Sequence, residues 1–342
     1  MGASYKAYDV LEESGAEILY GSASWSTPQG NNEDEMIAMA AGADALTGGS
    51  IKSSPITARV MDSAPELRIV AKCSIGVDDV DVDAATERGI LVTHGPTESN
   101  WSGVAEGTMA MMLTLLKKVR ERDENVKKGG WRDPSLQGIS LGRHQDGYAG
   151  ITVGIVGLGR IGRRFADLLA PWRVRILTCD PYVEESEFIR VNAERVDLPT
   201  LLKESDVVSL HVVLNSETHH QIGAEQLAQM KPSAVLINTA RGGVVDTAAL
   251  AKALEGGRIA AAALDVCEVE PLPADSPLLK LGHKILLSPH MASSNLDGGL
   301  KQGIIWANHA VLEAMAGKVP EHVYNKEVIP KWIERFGGRK IL

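Results

Sequence analysis

From residue 16 onward the chain alternates short apolar, β-branched runs with stretches whose apolar positions recur every three to four residues. AEILYG, ADALTG, LRIVAK and ILVTH read as strands, and NEDEMIAMAAGA, PITARVMDSAP and DVDAATERG as helices. Such alternation encodes a parallel sheet, because parallel neighbours need a long connection across a sheet face. The chain opens on a helical pattern rather than a strand, which suggests a shortened or rebuilt N-terminus. The run 101–128 carries Val104, Met109, Met112, Leu115 and Val119 at helical spacing and ends in charged residues and Gly129-Gly130. It predicts one long helix able to bridge two domains. WRDPSLQGISLGRHQDGYAG, at 131–150, has no period and predicts a surface loop. A second series then begins with ITVGIV and runs through VRILTCD, DVVSLHVV, AVLINTA, IAAAALDV and KILLSPH, with helical patterns between, and has more strands than the first. A helical run over 300–316 follows, and the basic, aromatic tail from Tyr324 shows no period.

Gly157, Gly159 and Gly162 form G-x-G-x-x-G between the strand ITVGIV and the helical pattern IGRRFADLLA. The first glycine permits the tight turn, the second lets a pyrophosphate approach the backbone, and the third lets helix pack closely on strand. Free N–H groups at the helix start, from Arg160 and Ile161 onward, then face phosphate oxygens. Asp180 ends the next strand, where a carboxylate accepts from both hydroxyls of an adenosine ribose and repels a 2′-phosphate; it also suits a turn before Pro181. The motif predicts NAD in preference to NADP, although Arg160 and Arg173 are cations able to hold a phosphate. Three further strands end in polar residues: Arg241 in LINTARGG, Glu270 in LDVCEVEP and His290 in ILLSPHMA. Converging at the carboxyl edge of a doubly wound sheet, they supply a carboxylate clamp, an orienting acid and a proton carrier. Taken singly, each has an ordinary structural explanation as a loop or turn residue.

Several separated motifs, GVDDVDVDAATERGILVT at 76–93, VGIVGLGRIG at 153–162, MKPSAVLINTARGGVVD at 230–246, AAALDVCEVEPLP at 261–273 and SPH at 288–290, occur in an order that resembles the D-isomer-specific 2-hydroxyacid dehydrogenases, from about Asp44 to Val319. The resemblance implies an NAD-dependent enzyme acting on a small 2-hydroxy acid or 2-keto acid. It implies that Arg241 binds the substrate carboxylate and keto oxygen, that His290 exchanges the hydroxyl proton, and that Glu270 pairs with His290. It further implies that Ile75 and Gly76 hold the carboxylate through backbone N–H groups. His211, Thr218, Thr239, Ala240, Asp265 and His290 would join the glycine motif in lining the cofactor, with Asp265 near the nicotinamide carboxamide. His219 and His220 fall on the ribose side by the same analogy and read more simply as structural or exposed. His94 stands where the family often has Asn. Gly48-Gly49-Ser50 replace an Arg that relatives acting on phosphorylated acids often carry, so a non-phosphorylated substrate is expected. No appended C-terminal regulatory module is recognisable, so feedback through a separate domain is not expected. A homodimer held through the long helix and the loop after it is implied as well. A nucleotide-sensing scaffold or corepressor on the same fold, or a phosphite or formate dehydrogenase, is the competing reading.

Length and composition agree with this picture. At 342 residues the chain exceeds what one core normally serves. The expected architecture is α/β, two doubly wound parallel-sheet domains (Rossmann/flavodoxin-like) with a cleft between them. Residues 104–292 form the NAD-binding Rossmann domain, and 1–103 plus 293–342 form a discontinuous substrate domain. A formal charge of -9, with 44 acidic against 35 basic residues and no basic block, argues against nucleic-acid binding. Cys73, Cys179 and Cys267 lie in apolar runs without zinc-site spacing, so no metal is expected and a cytoplasmic setting is. No signal segment or long apolar window points to export or a membrane.

Overall fold

The computed structural model describes residues 8–22, 30–49, 54–296 and 300–342. The expectation for the first residues falls mostly outside them, as does the Ser50 part of the Gly48-Gly49-Ser50 expectation. Two compact units are present, Met1–Asn100 with Ser294–Leu342, and Trp101–Ser293.

The first unit contains α1 (Asp9–Glu13), α2 (Glu33–Ala40), β1 (Ala45–Gly48), α3 (Ala58–Asp62), β2 (Ile69–Lys72), α4 (Val82–Glu87) and β3 (Leu91–Thr93), and late in the chain α12 (Leu300–Met315) and α13 (Ile329–Phe336). Its parallel sheet has the order β1-β2-β3. Alternate strand residues face opposite ways. Val70 and Val92 pack with Val60 and Ala85 on one face, whereas Ile69, Ala71 and Leu91 pack with Ile304, Val311, Trp332 and Phe336 on the other. The unperiodic tail therefore supplies part of this unit's core, through Val328, Trp332 and Phe336. Trp332 is fully buried, and its indole N–H donates to the Arg68 carbonyl at 2.9 Å. The run AEILYG does not form a strand: residues 16–21 are irregular, with Leu19 69% and Tyr20 48% exposed, so burial does not hold it against the sheet.

The second unit holds α5 (Glu98–Lys117, whose first residues belong to the first unit), α6 (Val119–Lys127), β4 (Thr152–Val156), α7 (Arg160–Leu169), β5 (Arg175–Cys179), α8 (Glu185–Arg190), β6 (Glu194–Arg195), α9 (Leu198–Glu204), β7 (Val207–Leu210), α10 (Ala224–Gln229), β8 (Val235–Asn238), α11 (Thr247–Glu255), β9 (Ala261–Leu264) and β10 (Ile285–Leu287). All seven strands are parallel in the order β10-β9-β8-β7-β4-β5-β6. Apolar residues cover both faces, which is why these strands read as continuous apolar runs. Helices start where short polar side chains meet the first free N–H groups, as at Asn32, Thr57, Asp81, Asp197 and Asp246. The single helix expected over 101–128 is broken. Lys118 takes a left-handed φ of 52°, and just beyond it Arg120 donates to the carbonyls of Ile285 at 2.9 Å and His283 at 3.0 Å. Those bonds tie the chain to β10 instead of letting it run on. α6 consequently buries no residue.

Candidate active site

The strand order reverses between β7 and β4, and loops at the carboxyl ends of strands flanking such a point form the ligand crevice of this fold. The glycine loop lies there. Gly157 has φ 94°, and a Cβ on it would come within 2.9 Å of the His211 carbonyl. A Cβ on Gly162 would come within 2.2 Å of Gly157 O, so α7 sits on the loop as closely as backbone allows. Gly159, at the N-terminus of α7, has nothing within 4 Å of that position, leaving open space in front of the helix start. Arg160 is exposed and Ile161 half-buried. Asp180 follows β5 directly. One carboxylate oxygen accepts from Leu158 N–H at 2.8 Å and the other from Tyr182 N–H at 2.9 Å, so the residue fastens the glycine loop and its own turn at once.

His211, expected at the cofactor, turns its side chain into the core. The ring lies against Phe165, Nε2 is 2.9 Å from Ser209 Oγ, and Nδ1 is enclosed without a hydrogen-bond partner among the described residues. Burial pushes its pKa down to about 3, so the imidazole is neutral. Only its main chain borders the glycine loop. Thr218 serves its own turn, donating to the Val213 carbonyl at 2.6 Å and accepting from Asn215 N–H at 2.9 Å. His219 and His220 stack at 4.0 Å, and His220 Nε2 is 2.6 Å from Glu268.

β8, β9 and β10 are neighbours, so the loops carrying Arg241, Glu270 and His290 leave one edge of the sheet side by side. Gly242 brings the first two together: a Cβ there would lie 1.9 Å from the Cys267 carbonyl carbon, and only glycine permits that contact. Arg241 donates from Nη1 to the Ala240 carbonyl at 2.7 Å. Glu270 accepts from Cys267 N–H at 2.9 Å through one oxygen, and its other oxygen is 3.0 Å from His290 Nδ1. Because a carboxylate only accepts, Nδ1 carries the proton and Nε2 is the ring's acceptor nitrogen. The His290 side chain is 49% exposed.

Asp265 has a task the sequence did not disclose. It is 3% exposed, and its carboxylate accepts from Ser288 Oγ at 2.5 Å, Met291 N–H at 2.8 Å and Ala292 N–H at 3.0 Å, while its carbonyl accepts from His290 N–H at 2.7 Å. Those bonds hold His290 at φ 57°, a left-handed conformation uncommon for any residue but glycine. Ser288 was missed; a hydroxyl directly before Pro289 at a strand end was the available signal. Thr239 is buried and shares a hydrogen bond of 2.9 Å with Thr108 of α5, a second missed residue, while Ala240 is buried and donates its N–H to Asn238 Oδ1 at 3.0 Å. The Cys267 thiol is pushed up to about 11 by burial and by the charges of Glu270 and Asp265, which removes it as a nucleophile. Among the described residues no cluster of His, Cys, Asp and Glu suits a metal ion, and no helix is long and apolar enough to cross a membrane.

In the first unit, Ile75 and Gly76 form the turn after β2. Neither N–H donates to another described residue.

Comparison with known proteins bears on the whole chain. The family described as D-isomer specific 2-hydroxyacid dehydrogenase, NAD binding domain, matches residues 109–292. The chain is 39% identical to a glyoxylate reductase of Thermofilum pendens over 94% of its length and 91% of the relative's. It is 35% identical to a D-3-phosphoglycerate dehydrogenase of Archaeoglobus fulgidus over 90% of its own length but 55% of that longer protein. The structure of a D-lactate dehydrogenase of Aquifex aeolicus, solved with NAD and lactic acid, superposes with a TM-score of 0.73 at 32% identity, covering 81% of this chain and 84% of that one. Identity at this level across nearly the full length, with the glycine loop and the Glu270–His290 pair on one sheet edge, means that the chain belongs to the D-isomer specific 2-hydroxyacid dehydrogenases.

Proposed function

We propose that the protein transfers a hydride between NAD(H) and C2 of a small, non-phosphorylated 2-hydroxy acid or 2-keto acid, with D stereochemistry at the hydroxyl carbon. The observation that carries this reading is the 3.0 Å contact between His290 Nδ1 and Glu270, because it leaves Nε2 as the nitrogen that can give or take the proton on the substrate oxygen. Arg241 is the planar cation for the substrate carboxylate and keto oxygen, and the N–H groups of Ile75 and Gly76 are donors suited to a carboxylate. The carboxylate of Glu270 fixes the tautomer and the orientation of the ring through Nδ1–H. Asp265 and Ser288 keep that imidazole where it works.

The residues present fit a dinucleotide. Open space before Gly159 accommodates a pyrophosphate at the start of α7, and Asp180, with two backbone bonds already made, still has lone pairs for ribose hydroxyls. The bound nicotinamide would supply the hydride. Its negative charge makes Asp180 a poor neighbour for a 2′-phosphate, which favours NAD over NADP. The glyoxylate reductase likeness and the Gly48-Gly49 end of β1 support a small unphosphorylated acid. A homodimer is supported by α6 and the loop after it, where Val119 (54%), Val126 (54%) and Trp131 (75%) stand exposed. The buried, unbridged Cys73 and Cys267 suit a cytoplasmic enzyme.

The test is NADH oxidation measured against glyoxylate, hydroxypyruvate, pyruvate, bulkier 2-keto acids and 3-phosphohydroxypyruvate. Turnover of a small keto acid well above that of the phosphorylated one is expected. Tight NADH binding without turnover of any would favour a scaffold instead.

A further inference from the structure

The N–H groups of Ile75 and Gly76 have no partner among the described residues, and the carboxylate reading leaves open what would aim both at one ligand. The answer lies in what grips the other side of the turn. The Ser74 carbonyl accepts from Gly95 N–H at 2.8 Å, and the Ile75 carbonyl is 3.2 Å from His94 Nδ1. Both donors come from the segment just after β3. A peptide unit is planar and, here, trans, so a carbonyl drawn toward one side turns the following N–H to the opposite side. Holding Ser74 O and Ile75 O therefore aims the N–H groups of Ile75 and Gly76 together, away from residues 94–95.

The surrounding scaffold keeps that grip from slipping. Lys72 and Asp79, at the two ends of the turn, form a buried ion pair of 2.6 Å. A Cβ on Gly95 would come within 2.6 Å of the Cys73 carbonyl oxygen and one on Gly303 of α12 within 1.9 Å, so backbone is packed against both sides of that carbonyl. His94 is itself fixed, with its N–H on the His322 carbonyl at 3.2 Å and its ring edge-on to Tyr324 at 5.5 Å. Because a carbonyl only accepts, Nδ1 must be the protonated nitrogen.

We propose that His94 is a positioning residue for substrate capture, whose Nδ1–H holds the Ile75 carbonyl so that the Gly76 N–H, beside that of Ile75, faces the carboxylate of the 2-keto acid. This rests on the reading of the Ile75–Gly76 turn as the carboxylate site. The hydrogen bond to Ile75 O also polarises the peptide and strengthens its N–H as a donor. Ser74 Oγ does the same for the next peptide, donating to the Gly76 carbonyl at 3.0 Å.

Two replacements separate donor from ring. Asn carries an N–H donor the same number of bonds from Cβ as Nδ1, while Phe keeps the ring against Tyr324 and has no donor. For His94→Phe we expect the KM for glyoxylate to rise roughly 5- to 20-fold, with kcat changed less than about threefold and NADH affinity by fluorescence titration unaltered. His94→Asn should recover most of that rise. If His94→Phe leaves KM in place, or His94→Asn is as impaired as His94→Phe, the positioning role is overturned. Gly76→Pro, which deletes the N–H itself, tells the two levels apart, with tryptophan fluorescence of Trp332, buried in the core of the same unit, reporting that it folds. An unchanged KM there overturns the carboxylate reading and this inference with it, whereas a raised KM in Gly76→Pro beside a normal one in His94→Phe overturns the inference alone.

Discussion

Two stretches of one sheet edge, the β4–β5 end and the β8–β10 end, solve different problems with different atoms. At β4–β5 the work falls to backbone. Glycine is required at 157 and 162 because any side chain would strike a carbonyl, and Asp180 fastens the loop through main-chain N–H groups. At β8–β10 the work falls to side chains, and the backbone serves to hold them, most visibly where Asp265 gathers the 288–292 loop around His290. Binding a polyanion needs many N–H groups at fixed positions, whereas moving one proton needs one titratable atom in place. The two ends should therefore fail differently when altered.

The largest effect is expected at the side-chain end. His290→Ala should lower kcat by ~10²–10⁴ in keto-acid reduction while NADH affinity stays near that of the wild type. An equal loss of NADH binding would show that His290 holds cofactor and that the two ends are not separable. At the backbone end, Gly162→Ala should destabilise by ~1–3 kcal/mol in urea unfolding, since its Cβ would lie 2.2 Å from Gly157 O, whereas Gly159→Ala should leave unfolding unchanged and weaken NADH alone. Asp180→Ala should weaken NADH at least about tenfold and narrow the preference over NADPH, with some stability lost as Leu158 and Tyr182 lose their acceptor. A wild type that prefers NADPH would remove the basis for this assignment.

Two smaller effects are expected. His211 stays neutral when folded down to about 3, while an unfolded histidine takes a proton near 6.5, so the unfolded state binds more protons between those values. Its contribution is full above about 6.5 and declines as pH falls, by at most ~1.4 kcal/mol per unit. Unfolding measured between pH 7 and 5 should show a shallower decline in His211→Gln. Glu270→Gln keeps size and removes the acceptor charge facing His290 Nδ1, so kcat for keto-acid reduction should fall while cofactor affinity holds. An unchanged kcat would uncouple Glu270 from His290.

What was legible in the sequence follows the same division. The glycine loop is a local object, with strand, turn and helix contiguous from 152 to 169, and each glycine's steric reason could be assigned before any coordinates. Arg241, Glu270 and His290 were legible because each ends an apolar run. The tasks of Asp265 and His94 were not, because their bonds join residues 23 to 27 and 19 positions apart and leave no period. Periodicity also misled. The apolar spacing continues through Lys118 although the helix does not, because the break is set by Arg120 reaching carbonyls some 165 positions away. AEILYG has strand-like composition and too little burial to become one. His211 was read by its position in a motif, and a position cannot say which way a ring turns.

The interleaving of the two units has a consequence for how the chain is made. The face of the first sheet that carries Ile69 and Leu91 is covered by Ile304, Trp332 and Phe336, from the end of the chain. A ribosome adding ~5–20 residues per second would release the first hundred residues and then take roughly ten to forty seconds over Trp101–Ser293 before supplying that cover. The segment synthesised second, being continuous, has its whole core in hand first. The segment synthesised first must wait with one sheet face bare, in the state that molecular chaperones recognise.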